Sequence, residues 1–250
     1  MCIYSINMIM KQNVKSALRG LGYALVNLKY RFGIDVFYDV KKILGSWSLE
    51  SFVDVGANEG LFLRDALKAF HVKRALAFEP GAEAFAALRR LHGGNASVTC
   101  INEGLGSSRG RVKFYTFPDS KKNTLCETLS DEVRTSPGTC VEIDLGTLDE
   151  HVGEGEVIDF LKIDVEGFEI AVLQGAKALL ASKRIRTIYC EFHKICDFEN
   201  ANSPHTSLAG LTAFLAPFGY RFVALYTQGV HRRENIVTCN VLFCEESLLY

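Results

Sequence analysis

An α/β fold with a mostly parallel seven-stranded sheet and a C-terminal antiparallel hairpin is predicted by three features of this sequence. Short β-rich runs alternate with helical patterns from about residue 50 onward. An apolar run at residues 52–55 passes straight into a glycine-bearing turn that opens a helix, as in doubly wound sheets. The last two β-rich runs are long and closely connected, which pairs them antiparallel at one edge.

Residues 1–48 read as an N-terminal helical cap and 49–250 as the main domain. Strand candidates at 51–55, 74–78 and 97–102 are separated by helical patterns at 60–70 and 82–92, the spacing of successive βα units with right-handed crossovers. Runs at 111–117 and 139–145 alternate in polarity and bound a polar stretch, 118–138, which reads as an insertion or a mobile loop. Alternation resumes with a strand at 158–163, a helix at 168–181 and a strand at 187–192. Leu208, Leu211, Leu215 and Phe218 follow helical spacing, and strands at 221–226 and 236–243 complete the pattern.

Composition narrows the function. At 250 residues, 48% hydrophobic and 23% charged, the chain has enough apolar side chains for one substantial core, which excludes intrinsic disorder. Lys plus Arg number 28 against 29 Asp plus Glu, so no broad basic field exists and no nucleic-acid partner is expected. None of the eight cysteines stands in a C-x-x-C pair, which excludes a zinc ribbon or a thioredoxin-type site and suits buried thiols in a reducing cytoplasm. The charge-free stretch 200–220 contains Pro204, His205 and Pro217 and is no transmembrane segment. The N-terminus places apolar residues before basic ones, the reverse of a secretory signal. Residues 1–34 hold Lys11, Lys15, Arg19, Lys29 and Arg31 with no acid, a pattern that fits a plain cap helix first and, second, an organelle-targeting helix or an interfacial one with weak peripheral membrane contact.

Four segments carry chemistry. In residues 52–60, Asp54 ends the apolar run and Gly56-Ala57-Asn58-Glu59-Gly60 forms the turn. Glycines there admit a close ligand, and the helix start presents unpaired N–H groups. A dinucleotide fingerprint needs a second glycine where Asn58 stands, and Asp54 would repel a pyrophosphate while suiting a cation such as a sulfonium. An ordinary tight turn is the bland alternative. Glu79, 19 residues after Gly60, stands at the tip of the next strand, where a carboxylate accepts hydrogen bonds from both ribose hydroxyls. In the third segment, Lys162, Asp164 and Glu166 share one side of an extended chain, and three charges on a buried strand must either neutralise one another or serve a site. Nearby, Glu191 and His193 end a neighbouring strand whose tip converges on the same crevice.

Together, residues 52–60, Glu79-Pro80, the 161–176 block and Glu191-x-His193 resemble the FkbM-type AdoMet-dependent methyltransferases. The Lys-Ile-Asp-Val-Glu-Gly block with its following Gln-Gly-Ala is the most specific element, and 33–44 is similar to the family's lead-in helix. The likeness spans about residues 30 to 245, weakens through 118–138, and meets Glu59 where the family has a hydrophobic residue. It implies a Rossmann-like methyltransferase fold, S-adenosyl-L-methionine (AdoMet) as cofactor, and methyl transfer to a hydroxyl of a small-molecule or glycan acceptor. Asp54, Gly56, Ala57, Asn58, Gly60 and Glu79 are the expected cofactor residues. Asp164, Glu166 and His193 are the candidates for the base that an alcohol needs. No metal is assigned, because no third ligand stands at recognisable spacing; two of the carboxylates holding a divalent cation is the lesser alternative. Rival readings are a nicotinamide-dependent oxidoreductase and a catalytically silent AdoMet-binding scaffold.

Overall fold

The computed structural model describes residues 28–117, 139–192, 206–231 and 236–249, with backbone alone for 227–231 and 236–238. Residues 1–27, the polar stretch 118–138 and His193 lie outside the described residues.

Helix α1 (Val36–Leu44) starts where the Asp35 side chain accepts a bond from Tyr38 N and stops at Gly45, whose φ of 70° closes the turn. Strand β1 (Ser48–Val55) leads through α2 (Leu61–Ala69) to β2 (His71–Phe78), and α3 (Ala82–His92) leads on to β3 (Val98–Ile101). Short β4 (Gly104–Leu105) precedes β5 (Gly110–Thr116) and β6 (Thr139–Gly146). Next come α4 (Leu148–His151), β7 (Ile158–Ile163), α5 (Glu169–Gln174), α6 (Lys177–Ala181) and β8 (Ile185–Phe192). Helix α7 (Leu208–Leu215), β9 (Tyr220–His231) and β10 (Ile236–Glu245) follow.

Seven of these strands form one sheet in the order β3-β2-β1-β7-β8-β10-β9. All neighbours from β3 to β8 run parallel, while β10 is antiparallel to both β8 and β9. Helices cover both faces, and so every residue of the central β7 is buried, the apolar Ile158, Phe160, Leu161 and Ile163 together with the charged Asp159 and Lys162. Alternate side chains sort the core. Val53, Val55, Leu161 and Ile163 pack with Val172, Leu179 and Leu211 from α5, α6 and α7; Phe52, Phe160 and Tyr189 pack on the other face with Val40, Leu63 and Leu88 from α1, α2 and α3. The order reverses between β1 and β7, so the carboxyl ends of those strands open a crevice of the kind that takes ligands in doubly wound sheets. Among the described residues, no helix is long and apolar enough to cross a membrane.

Three local expectations change. The runs at 111–117 and 139–145 leave the main sheet and form a separate three-stranded sheet, β4-β6-β5, whose two-residue β4 is too short to show periodicity. The helix expected over 168–181 is two helices, because Gly175 sits where a Cβ would stand 2.0 Å from the Gly106 carbonyl oxygen. Strands β1 and β2 begin at Ser48 and His71, earlier than their apolar cores, since their first turns alternate exposed and buried positions.

Candidate functional site

The glycine turn is fixed from both sides. Gly56, Asn58 and Gly60 all take left-handed backbone, with φ of 75°, 49° and 82°. Gly56 N and Ala57 N donate to the Phe78 carbonyl at 3.0 and 2.9 Å, which ties the turn to the end of β2. A Cβ on Gly56 would stand 1.9 Å from Asp164 O, so only glycine lets the chain leaving β7 lie this close. At Gly60 the carbonyl meets His92 Nε2 at 2.8 Å, and a side chain would strike Leu88 and His92. Ala57 is buried beneath the turn.

Glu79 binds that turn to the next loop. One carboxylate oxygen accepts from Asn58 N and the other from Gly81 N, both at 2.8 Å. Burial raises the Glu79 pKa, against the pull of the two backbone N–H groups. The Asn102 amide donates to the Glu79 and Pro80 carbonyls at 2.8 and 3.0 Å, holding the loop from its other flank.

Asp54 and Lys162 face each other in register across β1 and β7. Lys162 Nζ lies 3.0 Å from Asp54 Oδ1 and donates to the Gly56 carbonyl at 2.6 Å. Burial works against the lysine's charge, but the Asp54 and Asp164 carboxylates outweigh it and raise its pKa. The cation that Asp54 meets in the structure is therefore this ammonium, and Asp54 reaches the turn through it. Breaking such a buried pair would strand one charge in the core.

Beyond Ile163 the extended chain stops. The expectation that Lys162, Asp164 and Glu166 line one side of a strand is corrected: Glu166 sits in a turn at φ 51°, and Gly167 follows at φ 100°. Asp164 is 3.7 Å from Lys162 Nζ, and its side chain is 32% exposed, so it faces the crevice with its neighbour's charge at its back. Glu169 organises the turn. Fully buried, it accepts from Val165 N at 3.2 Å and Gly167 N at 3.0 Å, and from the Thr206 hydroxyl.

Glu191, at the tip of β8, joins this group. Carboxylate oxygens of Asp164, Glu166 and Glu191 lie within 4.8 Å of one another. Burial, then the Asp164 and Glu166 carboxylates, push the Glu191 pKa up to about 11, so at neutral pH it holds a proton and can donate it in a hydrogen bond to Asp164. Three oxygens at this spacing also match what a divalent cation accepts. The third carboxylate, missing from the linear spacing, is thus supplied by an adjacent strand.

Of the sequence-derived candidates, Asp54, Gly56, Ala57, Asn58, Gly60 and Glu79 come together with Lys162 around one turn, and Asp164 and Glu166 stand beside it. Glu169 and Asn102 were not singled out as candidates. Glu169's signal is weak, an acid two residues after a glycine, and Asn102's is a polar residue at a strand exit.

The comparisons with known proteins accord with this arrangement. The methyltransferase FkbM domain matches residues 54–222. The methyltransferase sdnD of Sordaria araneosa is 32% identical over 153 residues, 49% of this chain and 59% of the relative, so the chain spans about three fifths of that protein's length. Among solved structures, methyltransferase FkbM from Methylobacillus flagellatus superposes with a TM-score of 0.51 at 21% identity, over 79% of this chain and 44% of that one. A putative sarcosine dimethylglycine methyltransferase from Galdieria sulphuraria gives the same TM-score, 0.51, at 10% identity over 84% of each chain. The fold is accordingly the Rossmann-like methyltransferase fold, and through the match that starts at Asp54 and takes in Glu79, Asp164 and Glu191 the chain belongs to the FkbM methyltransferase domain family.

Proposed function

We propose that this chain transfers a methyl group from AdoMet to a hydroxyl of a small-molecule or glycan acceptor. The observation that carries the reading is the Glu79 carboxylate, clamped by Asn58 N and Gly81 N with one accepted bond on each oxygen. A carboxylate oxygen has two lone pairs, so each retains one for a vicinal ribose hydroxyl. The donor set fits AdoMet better than a dinucleotide. Asn58 stands where a pyrophosphate needs glycine, and around the turn the carboxylates of Asp54, Glu79 and Asp164 outnumber the one ammonium, Lys162, that Asp54 already holds. That weighs against the nicotinamide alternative.

AdoMet, when bound, supplies an electrophilic methyl on a cationic sulfonium. The chain's own residues do the rest. Lys162, held by Asp54, fixes the Gly56 carbonyl, and Gly56, Ala57, Asn58 and Gly60 set the turn against which the cofactor lies. Asp164, Glu166 and His193 remain the candidates for the base that takes the acceptor hydroxyl's proton. Asp164 is favoured among the described residues, because it is partly exposed and the protonated Glu191 can orient it by donation. Holding the hydroxyl in line with the methyl supplies much of the remaining acceleration. The assignment of residues 1–48 as a cap and 49–250 as the catalytic domain belongs to the same proposal.

Calorimetry tests the cofactor. AdoMet and its demethylated product should bind while NAD does not; tighter binding of NAD than of AdoMet would overturn the reading. The silent-scaffold alternative predicts equal AdoMet binding with no turnover over a broad acceptor panel.

A further inference from the structure

The chain's charge is unevenly placed. Residues 1–47 contain seven Lys or Arg and two Asp, a net +5, which leaves −6 for the rest of a chain whose total is −1. The described part of this basic region is also where large apolar side chains are turned outward. Tyr30 is 75% exposed, and Phe32, Ile34 and Trp47 are each between 43% and 48% exposed.

This exposure is built into a fixed backbone. Lys42 Nζ donates to the carbonyls of Leu28 and Arg31 at 3.1 and 2.5 Å and pairs with the buried Asp39 at 2.7 Å. Asp39 in turn accepts from Gly33 N and from the Tyr226 hydroxyl of β9, both at 2.7 Å. A Cβ on Gly33 would stand 2.7 Å from Leu225 O, so the segment lies hard against β9. Pinned in this way, residues 28–34 still send Tyr30, Phe32 and Ile34 to solvent. Lysines then join the rings into one strip. The Lys42 ammonium lies 3.6 Å from the Phe32 ring centroid and 5.6 Å from that of Tyr38, and Lys41 lies 5.7 Å from Tyr38 and 5.8 Å from Trp47. Lys29 lies 5.4 Å from the ring of Tyr30.

Aromatic rings beside lysines and arginines match the boundary between lipid headgroups and acyl chains, where rings sit at the interface and cations reach anionic phosphates. We propose that the Lys29–Trp47 strip is a docking surface for an anionic lipid bilayer. Within the strip Lys29, Arg31, Lys41 and Lys42 outnumber Asp35 and Asp39, a net +2 that complements the negative surface of such a bilayer, and each nearby basic residue strengthens the attraction. Docking would hold the enzyme at a surface, by contacts separate from the crevice at the carboxyl ends of β1 and β7.

Trp47 is the chain's only tryptophan, so its emission reports this strip alone. The test mixes the full chain with vesicles of phosphatidylcholine, or of phosphatidylcholine with about 30% phosphatidylserine, and reads flotation and Trp47 emission. Binding to the anionic vesicles alone is expected, with a blue shift, and it should weaken at least tenfold, roughly, when salt rises from about 50 to about 300 mM. Lys29→Glu with Arg31→Glu, and separately Tyr30→Ser with Phe32→Ser, should each weaken it by about tenfold or more. Arg111→Glu with Lys113→Glu, the same charge change on β5, should not. Thermal melting checks that each variant is folded, and should the aromatic pair fail to fold, the charge pair decides. Absence of binding to anionic vesicles, equal binding to neutral ones, or binding unmoved by the folded strip variants would overturn the proposal. So would a dimer that forms without lipid and disappears on Tyr30→Ser with Phe32→Ser, which would make a second copy the occupant.

Discussion

At Glu79 the two carboxylate oxygens take the backbone N–H groups of Asn58 and Gly81, so the side chain is structural before any ligand arrives. Glu79→Gln replaces one acceptor by an amide that points a donor at a donor. It should lower stability by about 1–3 kcal/mol in a denaturant melt and weaken AdoMet by about 1.5–3 kcal/mol in calorimetry. An unchanged affinity in a folded variant would remove Glu79 from the cofactor site. Glu191 yields a pH prediction. Its folded pKa, about 11, lies above its ordinary 4.5, so between those values the folded state keeps a proton that the unfolded state has released. Stability then falls as pH rises through that window. Glu191→Gln removes this linkage, and its melting temperature relative to wild type should climb between about pH 5 and about pH 9. Because glutamine also donates, Glu191→Gln should retain turnover that Glu191→Ala loses; equal loss in both would mean that Glu191 acts as a charged carboxylate. The sequence made Asp54 and Glu79 visible, since each ends an apolar run at a fixed distance from the glycine turn. Glu191 was legible as the end of a neighbouring strand converging on the crevice, but its contact with Asp164 and Glu166 was not, because it depends on register and burial that no local pattern encodes.

Helices α5 and α6 show how a tertiary contact overrides a local pattern. Ile170, Leu173 and Ala176 keep helical spacing into the break, and nothing in their order announces it. Gly175 approaches the backbone of the loop after β4, with Gly106 O only 2.0 Å from where a Cβ would be. Gly175→Ala should therefore destabilise the fold by about 1–3 kcal/mol, even though alanine is the better helix former. A melting temperature equal to or above wild type would contradict this packing account. The same reasoning covers the second sheet. Strands β5 and β6 alternate in polarity and were legible as strands, but their departure from the main sheet follows from β4, two residues long, pairing with the end of β6. Strand β7 was legible over 158–163 although burial on both faces takes in Asp159 and Lys162, which pair with Arg186 and Asp54.

A mostly parallel seven-stranded sheet with an antiparallel pair at one edge was legible because the parallel connections carry helices and the last two strands are closely joined. The place of β10 between β8 and β9 was not, since a hairpin does not say which of its strands lies inside. The strand order brings the tips of β1, β2, β7 and β8 together, and with them every described residue of the candidate site. What the fold cannot specify is the acceptor, since sheets of this layout host many reactions. Residue identities at the tips have to do that work, and the proposed division assigns Glu79 to the cofactor and Asp164 to the acceptor's proton. Incubation with methyl-labelled AdoMet and a cell extract, wild type beside Asp164→Asn, brings both assignments under one measurement. Label should pass from AdoMet into a hydroxyl-bearing product with the wild-type protein, and the Asp164→Asn rate should fall by about 10²–10⁴-fold, the usual worth of general-base assistance, while AdoMet affinity stays within about threefold. Bound AdoMet with no label transferred by the wild type, or turnover undiminished in Asp164→Asn, would contradict the account.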